Sequence, residues 1–573
     1  MKDLLIYLKE YRVKAVLAPL FKMLEAIFEL MVPLVVARLI DKGIAELDSH
    51  YILLCGLWLL LLTFIGYGFS ITAQYFAARA AIGFGKGLRV DLFRHINSLG
   101  YEEIDKLGTS TLITRMTSDV NLIVSGVNMF LRLFLRSPFI VFGAVIMAFT
   151  VDVSTSKVFL IILPVLVVIV CVITYASIPL YKKVQTKLDR VTLLTRESLI
   201  GIRVIRAFNR TEQGEEEFRD STKDLMRSQL IVGRLSALMN PVTYLVVNVG
   251  IAMLIYAGAI KVNIGDLSQG QVVALVNYMS QILVELVKLA NLIITLTKGM
   301  ASARRISDVF AIKPSMEYGD KKVGKDITLK FENVSMNYID SKENAISDIS
   351  FVAKPGDTIG IIGGTGSGKS TLINLIPRFY DRNSGQILIN DTDIREYDRD
   401  SLRRSIGIVP QKSVLFRGTV ADNLRFRDSS AEDTDLEKAL EIAQAKEFVD
   451  KYEDGLSHEV LQEGKNLSGG QRQRLCIARA LVGNPKILIM DDSSSALDYV
   501  TESKLRKALM TSSKDRINII VTQRASTIID ADTILVLDDG CAVGVGKHQD
   551  LLKTCDIYKE IYLTQFKEGG VSA

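Results

Sequence analysis

Six apolar stretches constrain this chain more than any other feature of its sequence. Five of them are centred near Leu30, Leu61, Leu166, Val249 and Ile282, and the sixth runs from Ser137 to Val151. The mean hydropathy of +0.25 is also high for a water-soluble protein of 573 residues. Because lipid offers the backbone no hydrogen-bonding partners, apolar stretches of this kind cross a bilayer as helices. The sequence therefore predicts a membrane domain of six helices.

The hydrophilic connections between these stretches alternate in length and charge. The short ones span residues 41–50, 152–157 and 261–270, and the long ones span residues 81–128 and 181–240. Lys and Arg concentrate in the long connections, above all from Lys182 to Arg234. The positive-inside rule then places both long connections and both termini in the cytoplasm. The long connections contain no proline, and we expect them to be membrane helices that continue far into the cytosol.

Composition also divides the chain into domains. Residues 1–9 mix Lys with Leu and Tyr, which favours an interfacial helix, although a frayed terminus fits equally well. Mixed charge begins at Ala301, and short strand-like runs separated by turns begin near Asp326. We therefore predict a membrane domain over residues 1–305, a linker over 306–325 and a soluble α/β domain over 326–573.

Overall charge and cysteine content exclude several classes of protein. The net charge of +5, from 69 basic and 64 acidic residues, is too small to indicate a nucleic-acid partner. The five cysteines have neither paired nor metal-type spacing, so we expect no disulfide framework and no zinc site. The N-terminus lacks the pattern of a cleavable secretory signal, and we expect the first membrane helix to target the chain.

A glycine-rich segment follows an apolar run in the soluble domain. The run Thr358-Ile-Gly-Ile-Ile leads into a segment that fits the pattern G-x-x-x-x-G-K-[ST] between a strand and a helix. In such a loop the backbone N–H groups converge on phosphate oxygens, the lysine reaches the β- and γ-phosphates, and the next hydroxyl can hold Mg²⁺. We therefore predict a site for a nucleotide and Mg²⁺. Its residues are Gly363, Gly364, Thr365, Gly366, Ser367, Gly368, Lys369, Ser370 and Thr371.

Two further motifs follow in the same domain. The apolar run Ile487-Leu-Ile-Met490 ends in Asp491 and Asp492, as expected where a carboxylate must reach Mg²⁺ at the carboxyl edge of a parallel sheet. A capped strand end is the structural alternative. Between the two motifs lies the segment Leu467, Ser468, Gly469, Gly470 and Gln471, which precedes a helical run. Ser468 is predicted to cap this helix, and the glycines would leave its start open to an approaching phosphate.

The phosphate loop, the LSGGQ segment and the Asp strand, taken together and in this order, resemble the nucleotide-binding domain of ATP-binding cassette (ABC) transporters. The resemblance covers residues from about Asp326 to the C-terminus, the membrane half resembles the family in layout, and the domain order resembles exporters. It implies a membrane α-helical domain, with six transmembrane helices and long cytoplasmic extensions, fused to an α/β P-loop NTPase domain. It also implies ATP and Mg²⁺ as cofactors and a multi-pass location in the plasma or inner membrane, with the cassette in the cytoplasm.

The resemblance assigns roles to further residues. Tyr338 matches the aromatic residue that stacks on adenine, and Gln411 matches the residue that senses Mg²⁺ and the membrane domain, so Mg²⁺ is assigned to Ser370, Gln411 and Asp491. Asp498, in Ser495-Ala-Leu-Asp498, matches the loop that crosses to a partner cassette. In the family two cassettes close head to tail, so each ATP lies between the phosphate loop of one and the LSGGQ of the other. A second half-transporter is therefore implied. Short helices near residues 105–111 and 209–215 are implied to dock on cassettes.

Two positions depart from the family pattern. Asp492 stands where the family has a Glu that orients or deprotonates the attacking water, and Gln523 stands where it has a His. The shorter Asp withdraws the carboxylate, and a displacement of about 1 Å can cost roughly 100-fold in rate. An amide can still donate a hydrogen bond to the γ-phosphate, but it cannot carry a positive charge. Both changes could be tolerated replacements. Our hypothesis is an ATP-holding, hydrolytically impaired site, with hydrolysis opposite this LSGGQ on a non-identical partner; a homodimer remains the alternative.

Ionisable residues within the membrane helices are candidates for contact with a transported substrate. Lys22, Glu25 and Glu29 lie on one face of the first helix, and Glu285 lies in the last. Self-paired ions are the structural alternative. We expect a multidrug-type exporter that moves amphipathic small molecules, drugs or lipids through the membrane. A peptide exporter and a nucleotide-gated channel or regulator are the alternatives.

Overall fold

The chain folds into two units, one helical and one built around a large sheet. The computed structural model describes residues 3–324, 326–339, 341, 343–493, 496–512 and 515–567. Met1, Lys2 and Ser495, which belong to predicted segments, lie outside the described residues. The first unit comprises Met1–Ile96 and Thr109–Ile312, and the second comprises Asn97–Gly108 and Lys313–Ala573. We call them the membrane unit and the cassette unit.

Helices α1 to α11 precede the first strand. Their bounds are α1 (Arg12–Arg38), α2 (Ser49–Ser98), α3 (Tyr101–Leu107), α4 (Thr109–Thr114), α5 (Val120–Leu133), α6 (Arg136–Val151), α7 (Val153–Ile200), α8 (Ile202–Ala207), α9 (Thr211–Ala237), α10 (Met239–Asn263) and α11 (Gln269–Ala311). A 3-10 helix, Asp3–Tyr11, covers the described part of the predicted interfacial segment. Short π-helical segments, Leu39–Ile44 and Arg115–Asp119, follow α1 and α4.

The helices confirm a predominantly helical membrane domain. Among the described residues, five helical segments are long and apolar enough to cross a bilayer: Ser49–Ser98, Thr109–Val151, Val153–Ile200, Thr211–Asn263 and Gln269–Ala311. The remaining predicted crossing is α1, which is less apolar because Lys22, Glu25 and Glu29 lie near its middle. With 50 residues, α2 is about 75 Å long, more than twice the roughly 30 Å hydrocarbon core. It therefore continues well beyond the membrane, as predicted.

A buried apolar core joins five helices of the membrane unit. Leu30 of α1, Ile140 of α6, Phe159 of α7, Leu254 of α10 and Leu275 of α11 are each at most 5 % exposed. Because lipid is as apolar as these side chains, close packing rather than exclusion from water stabilises such a core.

Polar side chains fasten the short connections of the membrane unit to one another. Asp152 caps the first turn of α7 by accepting a backbone hydrogen bond at 2.7 Å, and it pairs with Lys261 at 2.8 Å. The Asp41 carboxylate accepts a hydrogen bond from the backbone N–H of Gly270 at 2.8 Å and also bonds to the Ser268 hydroxyl. The three short connections are thus tied together by polar contacts at the helix ends.

The cassette unit is built on a ten-stranded sheet within the part of the chain that the structure describes. The strands are β1 (Leu329–Met336), β2 (Ile346–Ala353), β3 (Thr358–Gly363), β4 (Ser384–Ile389), β5 (Thr392–Asp393), β6 (Ile406–Val409), β7 (Gly418–Thr419), β8 (Glu459–Val460), β9 (Ile487–Asp491), β10 (Ile517–Val521), β11 (Thr533–Asp538) and β12 (Cys541–Gly546). The sheet order is β5-β4-β1-β2-β12-β11-β3-β10-β9-β6, and β7 pairs with β8 separately. Strands β11, β3, β10, β9 and β6 run parallel. All six residues of β3 are buried, as expected for a strand covered on both faces.

Shorter helices alternate with the strands of this unit. They are α12 (Lys369–Leu375), α13 (Arg399–Ser405), α14 (Val420–Arg425), α15 (Asp433–Ile442), α16 (Lys446–Val449), α17 (Gly469–Leu481), α18 (Tyr499–Thr511), α19 (Ala525–Ile528), α20 (His548–Thr554) and α21 (Asp556–Lys567). Strands alternating with helices around a parallel sheet are the α/β architecture that the sequence predicts for this half of the chain.

Gly270 lies where α11 approaches α1, and we expect Gly270→Ala to destabilise the membrane unit. A Cβ at this position would lie 2.2 Å from the Ala37 carbonyl oxygen and 2.7 Å from an Asp41 carboxylate oxygen. Forcing a side chain into such a space costs about 1–3 kcal/mol, so the midpoint of thermal unfolding in detergent should fall. Gly68→Ala is the control, because no described atom lies within 4 Å of its Cβ and Ala favours helix. Equal midpoints for the two variants would contradict the prediction.

Candidate nucleotide-binding and hydrolytic site

Three parallel strands bring the predicted nucleotide motifs to one edge of the sheet. β10 lies between β3 and β9, and its Val521 pairs with Ile361 of β3 and with Asp491 of β9. The phosphate loop begins at Gly363, Asp491 ends β9 and is followed by Asp492, and Gln523 follows β10. Because the carboxyl ends of parallel strands meet at one edge, these three segments start side by side.

The phosphate loop has a backbone that suits glycine. Gly366 and Gly368 have φ angles of +86° and +92°, which side-chain-bearing residues rarely adopt. A Cβ on Gly363 would lie 2.1 Å from the Leu537 carbonyl oxygen of the neighbouring strand. Substitution is therefore disfavoured by conformation at two glycines and by space at a third. The loop ends where α12 begins, which places the last three residues of the predicted motif in the first turn of that helix.

The ammonium group of Lys369 lies against this loop. Lys369 Nζ donates to the carbonyl oxygens of Gly363 at 2.9 Å and Gly364 at 2.5 Å. Burial lowers the pKa of Lys369, and the carboxylates of Asp491 and Asp492 oppose that shift. The cation is thus positioned within the loop, where phosphate oxygens can accept hydrogen bonds from the same Lys369 N–H groups.

The predicted Mg²⁺ residues Ser370 and Asp491 contact each other. Ser370 Oγ donates to Asp491 Oδ2 at 3.3 Å. Burial raises the pKa of Asp491, the hydrogen bond from Ser370 lowers it, and the adjacent Asp492 raises it again. No cluster of three His, Cys, Asp or Glu side chains suited to a metal occurs among the described residues. A hydroxyl and one carboxylate do fit Mg²⁺, which commonly takes a few protein oxygens and completes its shell with phosphate and water.

Gln411 lies at the same edge of the sheet. It follows β6, the neighbour of β9, and Val409 of β6 pairs with Met490 just before the Asp pair. The side chain of Gln411 is exposed. Its backbone position is therefore suited to the Mg²⁺ role that the sequence assigns to it.

The two departures from the family pattern lie in neighbouring loops. Asp492 follows β9 in a left-handed conformation with φ of +45°, and its N–H donates to the Val521 carbonyl at 2.9 Å. Burial raises the pKa of Asp492, whereas the nearby cations of Arg524 and Lys369 lower it. Gln523 is exposed and directly precedes Arg524. The Asp492 carboxyl group, whose pKa is raised, therefore lies close to the guanidinium of Arg524, the residue after Gln523.

Tyr338, the predicted base-stacking residue, contacts the helix after the phosphate loop. Its hydroxyl lies 3.1 Å from Thr371 Oγ1, and its ring meets the Tyr380 ring edge-to-face at 5.4 Å. The Tyr338 residue is 36 % exposed, which leaves ring surface available to a planar base.

The LSGGQ segment begins α17 with a reciprocal cap. Ser468 Oγ accepts a hydrogen bond from the Gln471 N–H at 3.3 Å, and Gln471 Oε1 accepts one from the Ser468 N–H at 2.8 Å. The predicted N-cap is therefore confirmed, as a capping box. Leu467 is buried at 4 % exposure, and Gly469 begins the helix. The segment is pre-shaped by local contacts.

The segment predicted to cross to a partner cassette is held against α17. Gln473 Oε1 accepts a hydrogen bond from the Ala496 N–H at 3.1 Å, and a Cβ on Gly470 would lie 3.2 Å from the Ala496 carbonyl oxygen. Asp498 caps α18 by accepting from the Thr501 N–H at 2.9 Å, a hydrogen bond that lowers the pKa of Asp498. The LSGGQ helix and this segment are thus fastened together within one chain.

The short helix α3 belongs to the cassette unit and contacts residues just after α12. The Tyr380 hydroxyl donates to Asp105 Oδ2 at 2.6 Å, and the rings of Tyr101 and Phe379 lie 4.5 Å apart. Burial raises the pKa of Tyr380, and the bond to Asp105 adds to the rise. Since Tyr380 also meets Tyr338, aromatic contacts run from the predicted base-stacking residue to α3.

The other predicted docking segment, residues 209–215, belongs to the membrane unit. Asn209 has a φ of +52° and separates α8 from α9, which begins at Thr211. The segment is therefore a turn that leads into a long helix.

Sequence reasoning missed three residues that this arrangement uses. Tyr380 contacts a residue 275 positions away, Gln473 contacts one 23 positions away, and Arg524 acts on Asp492 through space. Gln473 lies in the helical run after LSGGQ and Arg524 directly follows Gln523, but nothing in the sequence assigns a role to any of the three residues. Only their adjacency to the predicted motifs, as for Gln473 just after LSGGQ, could have drawn attention to them.

The four ionisable residues predicted to line a substrate cavity lie in one cluster with Arg136 of α6. Arg136 pairs with Glu29 at 2.7 Å and with Glu285 at 2.6 Å. Its Nε lies 3.8 Å from Glu25 Oε1. Lys22 in turn pairs with Glu25 at 2.5 Å. The cluster therefore joins α1, α6 and α11.

This cluster balances its charges. Its acidic members are Glu25, Glu29 and Glu285, and its basic members are Lys22, Arg136 and Lys288. The side chains of Arg136 and Glu285 are 8 % and 2 % exposed, whereas those of Glu29 and Lys288 are 39 % and 40 % exposed. The buried members are paired with each other, and Glu29 and Lys288 are the more accessible ones.

The chain matches two protein-family models. The model of the ABC transporter transmembrane region matches residues 16–286, and the model of the ABC transporter matches residues 346–495. The second match includes the phosphate loop, Gln411, the LSGGQ segment and the Asp pair. Both units of the chain therefore carry family sequence features.

Relatives and a solved structure match almost the whole chain. An uncharacterized ABC transporter ATP-binding protein of Bacillus subtilis is 34 % identical over 579 residues, covering 100 % of both chains. An uncharacterized ABC transporter ATP-binding protein of Mycobacterium tuberculosis is 35 % identical over 566 residues, covering 98 % of this chain and 97 % of the relative. The ATP-dependent lipid A-core flippase of Pseudomonas fluorescens is 33 % identical over 497 residues, covering 86 % and 82 %. A bacterial Atm1-family ABC exporter with ATP bound has a similar fold, with a TM-score of 0.82, 24 % identity and 99 % of both chains covered.

We expect Arg136→Met to destabilise the membrane unit strongly. The substitution removes the buried guanidinium that pairs with the Glu285 carboxylate at 2.6 Å and leaves Glu285 with the half-exposed Lys288 as its partner cation. Removing one partner of a buried pair costs about 3–5 kcal/mol. Thermal unfolding in detergent measures the loss. The double variant Arg136→Met/Glu285→Gln should recover part of it, because the remaining amide can still accept from Ser137, which bonds to Glu285 at 2.8 Å.

Lys288→Met is the matched control for that experiment. Lys288 contacts the same Glu285 oxygen at 2.8 Å, but its side chain is 40 % exposed, so its loss should cost less than about 1 kcal/mol. The same unfolding midpoint for Arg136→Met and Lys288→Met would show that burial of the pair does not control stability here.

We expect Tyr380→Phe to loosen α3 without disturbing the phosphate loop. The variant keeps the ring but loses the 2.6 Å hydrogen bond to Asp105, worth about 1 kcal/mol for an exposed pair. Backbone amides of α3 should then exchange with deuterium about 5-fold faster. Tyr318→Phe is the control, because its hydroxyl bonds to the Arg378 carbonyl, at 3.4 Å, rather than to α3. Unchanged exchange in α3 would refute the prediction.

Proposed function

This chain belongs to the ABC transporter family, and we propose that it is one half of an exporter whose own phosphate-loop site holds ATP but hydrolyses it poorly. Its helical membrane domain and ATP-binding cassette lie on one chain with the fold of an ABC exporter. Such exporters act as dimers, so the working transporter contains a second half. We place the membrane domain at residues 1–305, the linker at 306–325 and the cassette at 326–573.

Asp492 carries this proposal. It occupies the position directly after the strand-end Asp491, where the family pattern has Glu. Its side chain is one methylene shorter than Glu, and a misplacement of about 1 Å can cost roughly 100-fold in rate. Gln523 adds a second deficit, because a neutral amide replaces an ionisable imidazole.

The grip on ATP remains intact in this proposal. The backbone of residues 363–371 and the Lys369 ammonium hold the phosphates, and Tyr338 stacks on the base. Ser370, Asp491 and Gln411 hold Mg²⁺, which supplies positive charge to the β- and γ-phosphates. The Ser370–Asp491 contact at 3.3 Å supports this donor set. ATP bound here would act mainly to keep two cassettes together.

The partner is proposed to be a non-identical half-transporter. The capping box leaves the LSGGQ helix of this chain fully formed, so Leu467, Ser468, Gly469, Gly470 and Gln471 can complete a site on a partner that supplies its own Glu and His. Asp498 would contribute to the same interface. The basic long connections favour a cytoplasmic cassette and a location in the plasma or inner membrane.

Amphipathic small molecules, drugs or lipids are the proposed cargo. An open apolar groove of about 530 Å³ lies between α1 and α6 and is lined by Met23, Met31, Phe142 and Met147 among others. Glu29, which lies on α1 as well, is 39 % exposed at its side chain. Methionine-rich apolar surface adapts to varied shapes, and a carboxylate on the same helix can meet a polar or cationic group. The similarity to a lipid A-core flippase also favours a lipid-like cargo.

Two other functions would use the same cassette. A peptide exporter differs only in cargo. In a nucleotide-gated channel or regulator, bound ATP would control gating, and slow hydrolysis would be part of that function. Flux measurements in reconstituted vesicles separate these cases. Accumulation of an amphipathic dye against its gradient, driven by ATP, supports the exporter, whereas flux only down a gradient supports the channel.

We expect the full-length chain alone, in lipid nanodiscs, to show low Mg-ATPase activity that the double variant Asp492→Glu/Gln523→His raises. Glu restores the reach of the carboxylate and His restores an ionisable side chain, so turnover should increase by about 10- to 100-fold. Phosphate release under saturating Mg-ATP measures turnover.

Lys369→Ala in the double-variant background is the control, since removal of the phosphate-binding ammonium should abolish the gained activity. Robust turnover by the unmodified chain that survives Asp492→Asn would overturn the impaired-site proposal.

A further inference from the structure

The carboxamide of Gln565, near the end of α21, spans the loop that carries Gln523. Gln565 Nε2 donates to the Gln523 carbonyl oxygen at 2.7 Å, and Gln565 Oε1 accepts from the Ala525 N–H at 2.8 Å. One side chain thus satisfies two backbone groups on either side of Arg524. Both hydrogen bonds have ordinary lengths, and together they fix the backbone from which the Gln523 side chain projects.

The packing of α21 gives Gln565 a defined position. Tyr558, Ile561, Tyr562 and Gln565 follow the spacing i, i+3, i+4 and i+7, so they lie on one face of the helix. Tyr558 is fully buried, and its hydroxyl lies 2.8 Å from His548 Nδ1. Ile561 and Tyr562 pack on the same buried cluster. The face that anchors α21 is therefore the face that presents Gln565 to the loop.

Other contacts hold the later part of this loop, whereas Gln565 bonds to Gln523 itself. Thr527 Oγ1 donates to Glu502 of α18 at 2.7 Å. Arg506 of α18 donates to the Ser526 carbonyl oxygen at 2.8 Å. These bonds hold Ser526 and Thr527 of α19, which are three and four positions after Gln523. The Gln565 amide acts on the residue itself.

We propose that Gln565 is a positioning residue, which sets the Gln523 amide for contact with the γ-phosphate end of ATP in this chain's own site. The inference rests on the proposed function of Gln523 as the residue at the γ-phosphate. A neutral amide has no net charge to draw it to phosphate, so its contribution depends on orientation more than that of an imidazolium would. A fixed backbone supplies that orientation. The C-terminal helix thereby becomes part of the ATP-holding site.

A purely structural role for Gln565 predicts different behaviour. If the amide only anchored α21, its loss would weaken binding of nucleoside diphosphate and triphosphate equally. If it positions Gln523, its loss should weaken binding of a triphosphate alone, since a diphosphate has no γ-phosphate.

The test measures the dissociation constants of Mg-AMP-PNP and Mg-ADP for the full-length chain in lipid nanodiscs. Gln565→Ala should weaken AMP-PNP binding about 3- to 10-fold, the factor for one lost hydrogen bond, and leave ADP binding unchanged. Gln565→Glu should behave alike, because an ionised carboxylate cannot donate to the Gln523 carbonyl. Thr564→Ala is the matched control, since that hydroxyl bonds only within α21, to the Glu560 carbonyl at 2.8 Å.

A double-mutant comparison separates the possible failures. Gln523→Ala should reduce AMP-PNP binding alone, and adding Gln565→Ala should reduce it no further, because both act through one contact. Equal losses for both nucleotides in Gln565→Ala, or additive losses in the double variant, would overturn the positioning role while leaving Gln523 at the γ-phosphate. Unchanged AMP-PNP binding in Gln523→Ala would overturn both the positioning role and the proposed role of Gln523.

Discussion

The pairing of β10 with β3 on one side and β9 on the other is the constraint on which the cassette depends. Val521 is aligned with both Ile361 and Asp491, and this register lets Ser370 reach Asp491 across the edge of the sheet. A slip of one residue would turn every side chain of a strand to the opposite face. Since Ile359, Ile361 and Ile489 are fully buried in strands covered on both faces, such a slip would force each side chain into the close packing of the opposite face, which is unfavourable. Hydrophobic burial in the strands therefore determines the geometry of the polar site beyond them.

In the proposed site, binding of ATP and its hydrolysis depend on different groups at the same sheet edge. The groups that grip phosphate, the loop backbone and Lys369, depend on conformation and charge that this chain has. In the proposed site, hydrolysis depends in addition on the reach of the carboxylate that follows Asp491, and that reach differs between Asp492 and Glu by a single methylene. Burial costs a carboxylate its hydration, which raises the pKa of Asp492, and the cations of Arg524 and Lys369 recover only part of that loss. On this proposal, the loss of one methylene would impair hydrolysis and leave the ATP-binding surface unaltered.

Features formed by residues close together in the sequence could be predicted, whereas contacts between residues far apart in the sequence could not. The cap between Ser468 and Gln471 spans three residues, and the strand that leads into the phosphate loop is continuous with it, so both could be recognised from spacing. The bond between Tyr380 and Asp105 joins residues 275 positions apart. Gln565 likewise reaches back 42 positions to Gln523. Neither contact has a periodic or compositional signal, because it arises only when the sheet and its helices have formed.

The charged cluster in the membrane unit shows a related limit and adds an energetic argument. Helical spacing on α1 identified Lys22, Glu25 and Glu29, but it gave no sign of Arg136, which lies 149 residues from its partner Glu285. Equal numbers of acidic and basic groups keep the formal charge at zero, so the buried members avoid the cost of an uncompensated charge in a medium of low dielectric. Any cationic cargo that binds Glu29 must therefore compete with Arg136 at 2.7 Å. Release of that carboxylate would leave Arg136 with Glu285 as its closest remaining acid, which connects cargo binding to the packing of α6 against α11.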